Sequence, residues 1–449
     1  MIITSSSAGS IAKATRLDAS YFTAPGVVAN IQLDKLLSEG TETFKIADAG
    51  DVEHVTRFKR VLAAPREPSI PFLRAFDVFE YLPEASDSLS LARTPDLDDL
   101  RIEPGVILVT RSGRNLGPCV LADDYLAGFI ASDDLLRVRI EDERKRLFAF
   151  AFLSSPSGQD LLRQDRTGSV IAHLSAGQIE NQTIPVLNAA IDDVVELVGE
   201  AHQLRTRARS TLSAAVAAVD LRTPAPDATP LASGWTAKAS ALKNRLDAAF
   251  HEVSLREHRA AMMADGGLAL GDVAEVSKPG GRYKTNYVSE DHGDPVLSGR
   301  QLLQFLPIGL KYLAKSVLSD AIPYELRTGT IAFQADGRAE ESLGQPVLVT
   351  AQRDGWLASG HVGRARPHDL EDAGWIWAAM ASQAVRRQVA AVACGSVVDA
   401  LYEDDIQSVI LPPRSTVDST AVINAWNEFD RANTLMDQAI ALTESAFRA

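Results

Sequence analysis

Cysteine is nearly absent: Cys119 and Cys394 are the only two thiols in 449 residues, and they lie far apart in the chain. A disulfide scaffold and a thiolate zinc site are therefore excluded. No apolar run approaches the roughly 18 residues needed to span a bilayer. The opening stretch, MIITSSSAGSIAKATRLDAS, lacks the apolar core of a secretion signal. These absences predict a soluble, cytoplasmic protein with no membrane partner. Excess positive charge is missing too. Forty-five Lys and Arg stand against 59 Asp and Glu, a formal charge of −14, so nucleic-acid binding gets no help from the total. The phosphate loop GxxxxGK[ST], GxGxxG, the GxSxG elbow, HExxH and an Asn/Asp-Pro-Pro-Tyr/Phe methyltransferase segment are all absent, and the eight histidines show no metal-ligand spacing. No catalytic residue, metal site or resident cofactor is expected in this chain.

What remains is ordinary globular composition, 46% hydrophobic and 23% charged, enough for two or three domains with substantial cores. The informative feature is repetition. Arg16-Leu17-Asp18-Ala19 recurs as Arg245-Leu246-Asp247-Ala248. Ile70–Leu73 with Tyr81-Leu82-Pro83 is answered by Asp294–Leu297 with Phe305-Leu306-Pro307. Gly105-Val106-Ile107 matches Gly329-Thr330-Ile331, and Phe129–Ser132 matches Trp356–Ser359. Gly168–Ile171 matches Gly395–Val398, and Ile184-Pro185 matches Leu411-Pro412. Six matches in one order, at offsets of 224 to 229, read as a tandem duplication.

Each copy reads as a mixed α/β unit followed by a long helix. Strand candidates such as Val106–Thr110 and Val347–Thr350 precede apolar helix candidates over Leu147–Arg163 and Ala373–Val392. Residues 189–220 contain Gly199 as their one glycine and no proline. Their apolar seam, stepping by three and four, is Val194, Leu197, Ala201, Leu204, Ala208, Thr211, Ala215 and Ala218. The second copy gives Val422, Trp426, Phe429, Asn433, Met436, Ile440, Thr443 and Phe447. Such seams bring two helices side by side, with Asn433 a candidate register-setter. At 1.5 Å per residue, a helix of about 30 residues is roughly 45 Å long. Leu221–Ser240, rich in Pro, Ala, Thr and Ser, is the clearest linker.

This order of features resembles the DNA-specificity subunits of type I restriction–modification enzymes, over essentially the whole chain. The motif Arg-Leu-Asp-Ala, the strand and glycine-rich loop Gly105–Gly117, the closing Gly168-Ser169 and Ile184–Leu187, and the helix that follows carry the resemblance. The second loop, Gly329–Arg338, is degenerate. The resemblance implies two similar target-recognition domains (1–188 and 241–415), spacer helices (189–220 and 416–449) forming a long antiparallel pair, a linker (221–240), and a pseudo-twofold layout. It implies a non-catalytic subunit that directs an adenine methyltransferase/restriction complex to a bipartite target. Its partners would be double-stranded DNA, two methyltransferase subunits and a restriction/translocase subunit. S-adenosylmethionine and ATP with magnesium would sit on those partners.

DNA affinity comes from lysine and arginine on phosphates, and arginine and asparagine also read base edges. The clustered candidates in the first copy are Arg57, Lys59, Arg60, Arg111, Arg114 and Asn115; in the second they are Lys278, Arg282, Lys284, Arg300, Arg338, Arg353, Arg364 and Arg366. Each is equally readable as a solvated surface charge. Two alternatives stay open. One is a specificity module of a phage-defence methyltransferase with no restriction partner. The other is a magnesium-dependent nuclease built on Asp96, Glu143 and Lys145.

Overall fold

The structure, a computed structural model, describes residues 25–113, 115–164, 172–188, 190–225, 234–242, 245–280, 285–316, 322–339, 341–395 and 397–449. Arg16 and Gly168-Ser169 lie outside these residues. The fold is mixed α/β. It divides into two compact units, Met1–Phe79 with Pro83–Thr206 and Arg431–Ala449, and Glu80–Leu82 with Arg207–Asp430.

The first unit is built on a four-stranded antiparallel sheet of β1 (Gly50–His54), β2 (Ile107–Thr110), β3 (Cys119–Leu121) and β4 (Leu135–Ile140), in the order β1-β4-β2-β3. β4 is the central strand: Val138 faces Val52 on one side and Ile107 on the other. The second unit's sheet contains β5 (Ala274–Ser277), β6 (Ile331–Gln334), β7 (Pro346–Leu348) and β8 (Val362–Pro367), in the order β5-β8-β6-β7. There Ala365 faces Val276 and Ile331. The strand order is the same, and paired positions differ in number by 224 on β1/β5 and β2/β6 and by 227 on β4/β8. A smaller sheet in each unit repeats the likeness, with parallel pairing of Phe72 to Ile130 and of Val296 to Leu357.

Both apolar helix candidates are broken in the structure. Leu147–Arg163 falls into Glu143–Ser154 and Pro156–Gln164, and Ala373–Val392 into Ala373–Ala381 and Gln383–Val392. Ser155 is extended (ψ 155°) because it precedes a proline. Its hydroxyl donates to Phe152 O and accepts from Gly158 N. A Cβ on Gly158 would lie 1.9 Å from Phe152 O, so glycine is required. Ser382 makes the same break without a proline, at ψ 151°, its hydroxyl donating to Ala379 O. The break is thus held by the serine and by packing. All nine residues of Ala373–Ala381 are buried, with Trp375 and Trp377 donating their indole N–H groups to Pro412 O and Pro346 O.

The long helices are α1 (Ile191–Arg222) and α2 (Ser419–Arg448). On α1 the buried apolar positions are Ile191, Val194, Val198, Ala201, Leu204, Ala208, Leu212, Ala215 and Val219, with Arg205 and Arg209 also buried. The expected Leu197, Thr211 and Ala218 are half-buried, their places taken by the residue one step on. On α2 the expected seam is buried except at Ile440, where Ala439 replaces it. In the first unit Val194, Val198 and Ala201 share a core with Ala432, Met436, Ala439 and Phe447. Arg205 donates to the buried Asn433 side chain at 3.2 Å, and Arg431 bridges Glu200. In the second unit Arg207 meets Glu428 at 3.4 Å.

Trp426 is buried in the second unit against Tyr81 (4.8 Å between ring centroids), Trp377 (5.4 Å) and Phe429 (6.0 Å). Trp426→Ala would leave a large cavity among rings that cannot collapse. We expect a loss of about 3–5 kcal/mol, read as a lower denaturation midpoint of the full chain.

Candidate nucleic-acid interface

In the first unit the register brings together groups far apart in sequence. His54 closes β1 opposite Leu136, and Thr110 closes β2 opposite Leu135. His54, Arg111 and Asp133-Asp134 therefore gather at one end of the sheet. The Arg111 backbone N–H donates to Asp134 O (2.9 Å), and Leu174 N–H donates to Arg111 O (2.9 Å). The Ser112 hydroxyl donates to Asp134 Oδ1 (2.8 Å) and lies 2.8 Å from His173 Nδ1. Burial lowers the His54 pKa, the Arg111 charge lowers it further, and Asp133 and Asp134 oppose both. Arg60 pairs with Asp133 and lays its guanidinium over Phe72 (5.0 Å) and Phe58 (5.7 Å).

Arg111 is half-buried, and among the described residues its Nε meets no acceptor. The loop beyond it is pinched shut: Gly117 N donates to Thr110 O (2.9 Å), and the Thr110 hydroxyl to Asn115 O (3.3 Å). Gly113 (φ 94°) and Gly117 (φ 105°) adopt the left-handed conformation that favours glycine. Asn115 sits half-buried here, while Arg57 and Lys59 are exposed on the segment leaving β1. Arg114 lies outside the described residues.

The second unit has a cleft of about 760 Å³ at the corresponding place, lined by Lys278, Asp336, His361, Tyr324 and Tyr402 among others. Lys278 Nζ donates to Asp336 Oδ1 (2.7 Å) and Leu401 O (3.3 Å), while His361 Nδ1 lies 2.7 Å from Asp336 Oδ2. Lys278 N–H donates to Glu403 (2.6 Å). Arg300, Arg338 and Arg366 are exposed. Arg282 and Lys284 lie outside the described residues.

Two expected DNA contacts are corrected. Arg353 is buried, its guanidinium donating to Leu302 O (2.8 Å) and to Gln304 O and lying over the Tyr81 ring (4.9 Å). Arg364 is buried on the central strand, donating to Glu325 O, Val362 O and Tyr324 O. Both charges are committed to backbone carbonyls, which offset their desolvation, and neither reaches a surface. Sequence reasoning did not single out His54, Asp134, Asp336 and His361. The repeat offsets carried the signal, since counting 227 from Asp134 lands on His361.

Of the residues of the nuclease alternative, Asp96 lies outside the helix that carries Glu143 and Lys145. Asp96 is exposed at φ 53°, Glu143 opens a helix, and Lys145 lies over Phe44. Among the described residues no three His, Cys, Asp or Glu side chains gather as metal ligands. The Cys119 thiol is buried, which pushes its pKa up to about 12. No helix of the described residues is long and apolar enough to cross a membrane.

No family model matches the sequence, and no curated protein matches it. Solved structures do. The chain is similar to type I restriction–modification S subunits. One is the S subunit from M. genitalium, at 11% identity over 91% of this chain and 95% of that one, with a TM-score of 0.30. Another is the HsdS subunit from Thermoanaerobacter tengcongensis, at 14% identity over 91% and 97%, with a TM-score of 0.27. A third comes from work on assembly and conformational transition of the type I R-M system, at 15% identity over 91% and 97%, TM-score 0.28.

Arg57 and Lys59 are exposed cations beside the first cluster. Replacing both with Ala is expected to weaken binding of any duplex. The slope of log affinity against log salt should become shallower by about 0.9 for each phosphate no longer neutralised, checked by titrating bound DNA against salt.

Proposed function

We propose that this chain is a non-catalytic DNA-specificity subunit, directing an adenine methyltransferase/restriction complex to a target in two halves. What carries the reading is the pair of four-stranded sheets with one strand order, each bearing polar and basic groups at the same end. That likeness supports a tandem duplication, with target-recognition domains over 1–188 and 241–415. The pairs Glu200–Arg431, Arg207–Glu428 and Arg222–Ser415 ascend α1 while descending to the start of α2, supporting an antiparallel spacer pair and a pseudo-twofold layout. Such a spacer would hold two readers at a fixed distance. Successive major-groove faces lie about 34–36 Å apart, within reach of helices roughly 45 Å long.

The chain would carry no cofactor. S-adenosylmethionine, and ATP with magnesium, would belong to two methyltransferase subunits and a restriction/translocase subunit. The segment at Arg245 is a natural docking element: Arg245 bridges Asp247 (2.8 Å) and Asp405 (3.2 Å) and donates to Val392 O, which holds Leu246 exposed. The formal charge of −14 is compatible with DNA binding if those partners supply further phosphate contacts.

Mapping methylated adenine in the native host, with and without the gene for this chain, tests the reading. The expected result is a motif of two short blocks separated by unread bases, methylated only when the chain is present; identical methylation in both strains would refute it. One heptad inserted into α1 alone should abolish that methylation by breaking the helix pairing. Matched heptads in α1 and α2 should lengthen the unread gap, and an unchanged gap would refute the spacer role.

A further inference from the structure

The two sheets place different hydrogen-bonding groups at one structural position. The pairing register puts Lys278 where the first unit has His54, since each directly follows or ends the strand beside the central one. Asp336 pairs with Ala400 as Ser112 pairs with His173, and His361 stands where Asp134 does, one residue before β8 as Asp134 is before β4. In the first unit the resulting chain is carboxylate, hydroxyl, imidazole: Asp134, Ser112, His173. In the second it is ammonium, carboxylate, imidazole: Lys278, Asp336, His361.

The second arrangement fixes a cation in a cleft that is otherwise unfavourable to phosphate. Lys278 has three ammonium protons. Asp336 and Leu401 O accept two of them, the Tyr402 ring lies 5.9 Å from Nζ, and the side chain remains 21% exposed, so the third proton is left for a ligand. The Asp336 carboxylate is held from its other oxygen by His361, so the lysine is oriented rather than free to rotate. Glu403 and Asp404 line the same cleft, and with Asp336 they give it more negative than positive groups, which repels a phosphate. A neutral base edge suffers no such repulsion. The remaining proton can be shared between two adjacent acceptors, and in the major groove N7 and O6 of guanine are such a pair.

Resting on the specificity reading above, we infer that Lys278 reads a guanine in the half-site taken by the second unit. Asp336 and His361 are its positioning residues. The first unit has no lysine at the equivalent position, so the contact belongs to one half of the target.

The test maps chain-dependent adenine methylation in the native host carrying wild-type protein, Lys278→Ala, Lys278→Arg, Asp336→Asn or His361→Ala. Wild type should require guanine at one position in one block. Lys278→Ala should lower the preference for guanine there by about ten-fold or more while the other block keeps its sequence. Lys278→Arg should retain guanine, because arginine also donates to N7 and O6. Asp336→Asn and His361→Ala should relax that same position alone, which a residue serving only stability would not do. The inference is overturned if Lys278→Ala leaves every position unchanged, or if methylation falls evenly over an unaltered motif. A wild-type strain with no chain-dependent motif removes the specificity reading itself.

Discussion

The central strand of each sheet carries a buried arginine, and its burial constrains everything around it. Arg137 on β4 donates to Leu100 O (3.1 Å), and Arg364 on β8 donates to Tyr324 O (2.7 Å). A guanidinium removed from water is tolerated only where acceptors await it. A slip of one residue would turn each arginine to the opposite face and strand its charge. These pins therefore fix the register, and the register decides what meets at the sheet end. The fit is tighter in the second unit, where all of Nε, Nη1 and Nη2 of Arg364 find carbonyls. In the first, Nε and Nη1 of Arg137 find none among the described residues.

Much of the architecture was legible because repetition and helical periodicity survive in the one-dimensional text. The offsets of 224 and 227 reappear as strand partners, and the seams of α1 and α2 reappear as buried rows, displaced by a single step at Leu197, Thr211 and Ala218. Local hydroxyl chemistry was not legible. Ser155 and Ser382 interrupt helices that composition alone would continue, and the Ser382 break has no proline to announce it.

The candidate interface was legible only in outline, for a physical reason. An arginine looks the same in sequence whether it faces solvent or a ring of carbonyls. Arg111 and Lys278 lie at the sheet ends, whereas Arg353 and Arg364 are interior. Their neighbours come from distant parts of the chain: Asp134 O accepts from the Arg111 backbone and Asp336 from the Lys278 ammonium, and only strand pairing brings them near. The acidic total says as little, since a charge acts from where it sits and not through the sum.

The loop from Thr110 to Gly117 closes on itself at its base and is also tied to what surrounds it: Ser112 bonds Asp134 and lies against His173, Gly113 N donates to Ala172 O, and Leu116 is buried in the core. A substitution at Leu116 or Ser112 therefore reaches the core or the end of the sheet. The sequence of this loop thus cannot drift independently of the scaffold that carries it.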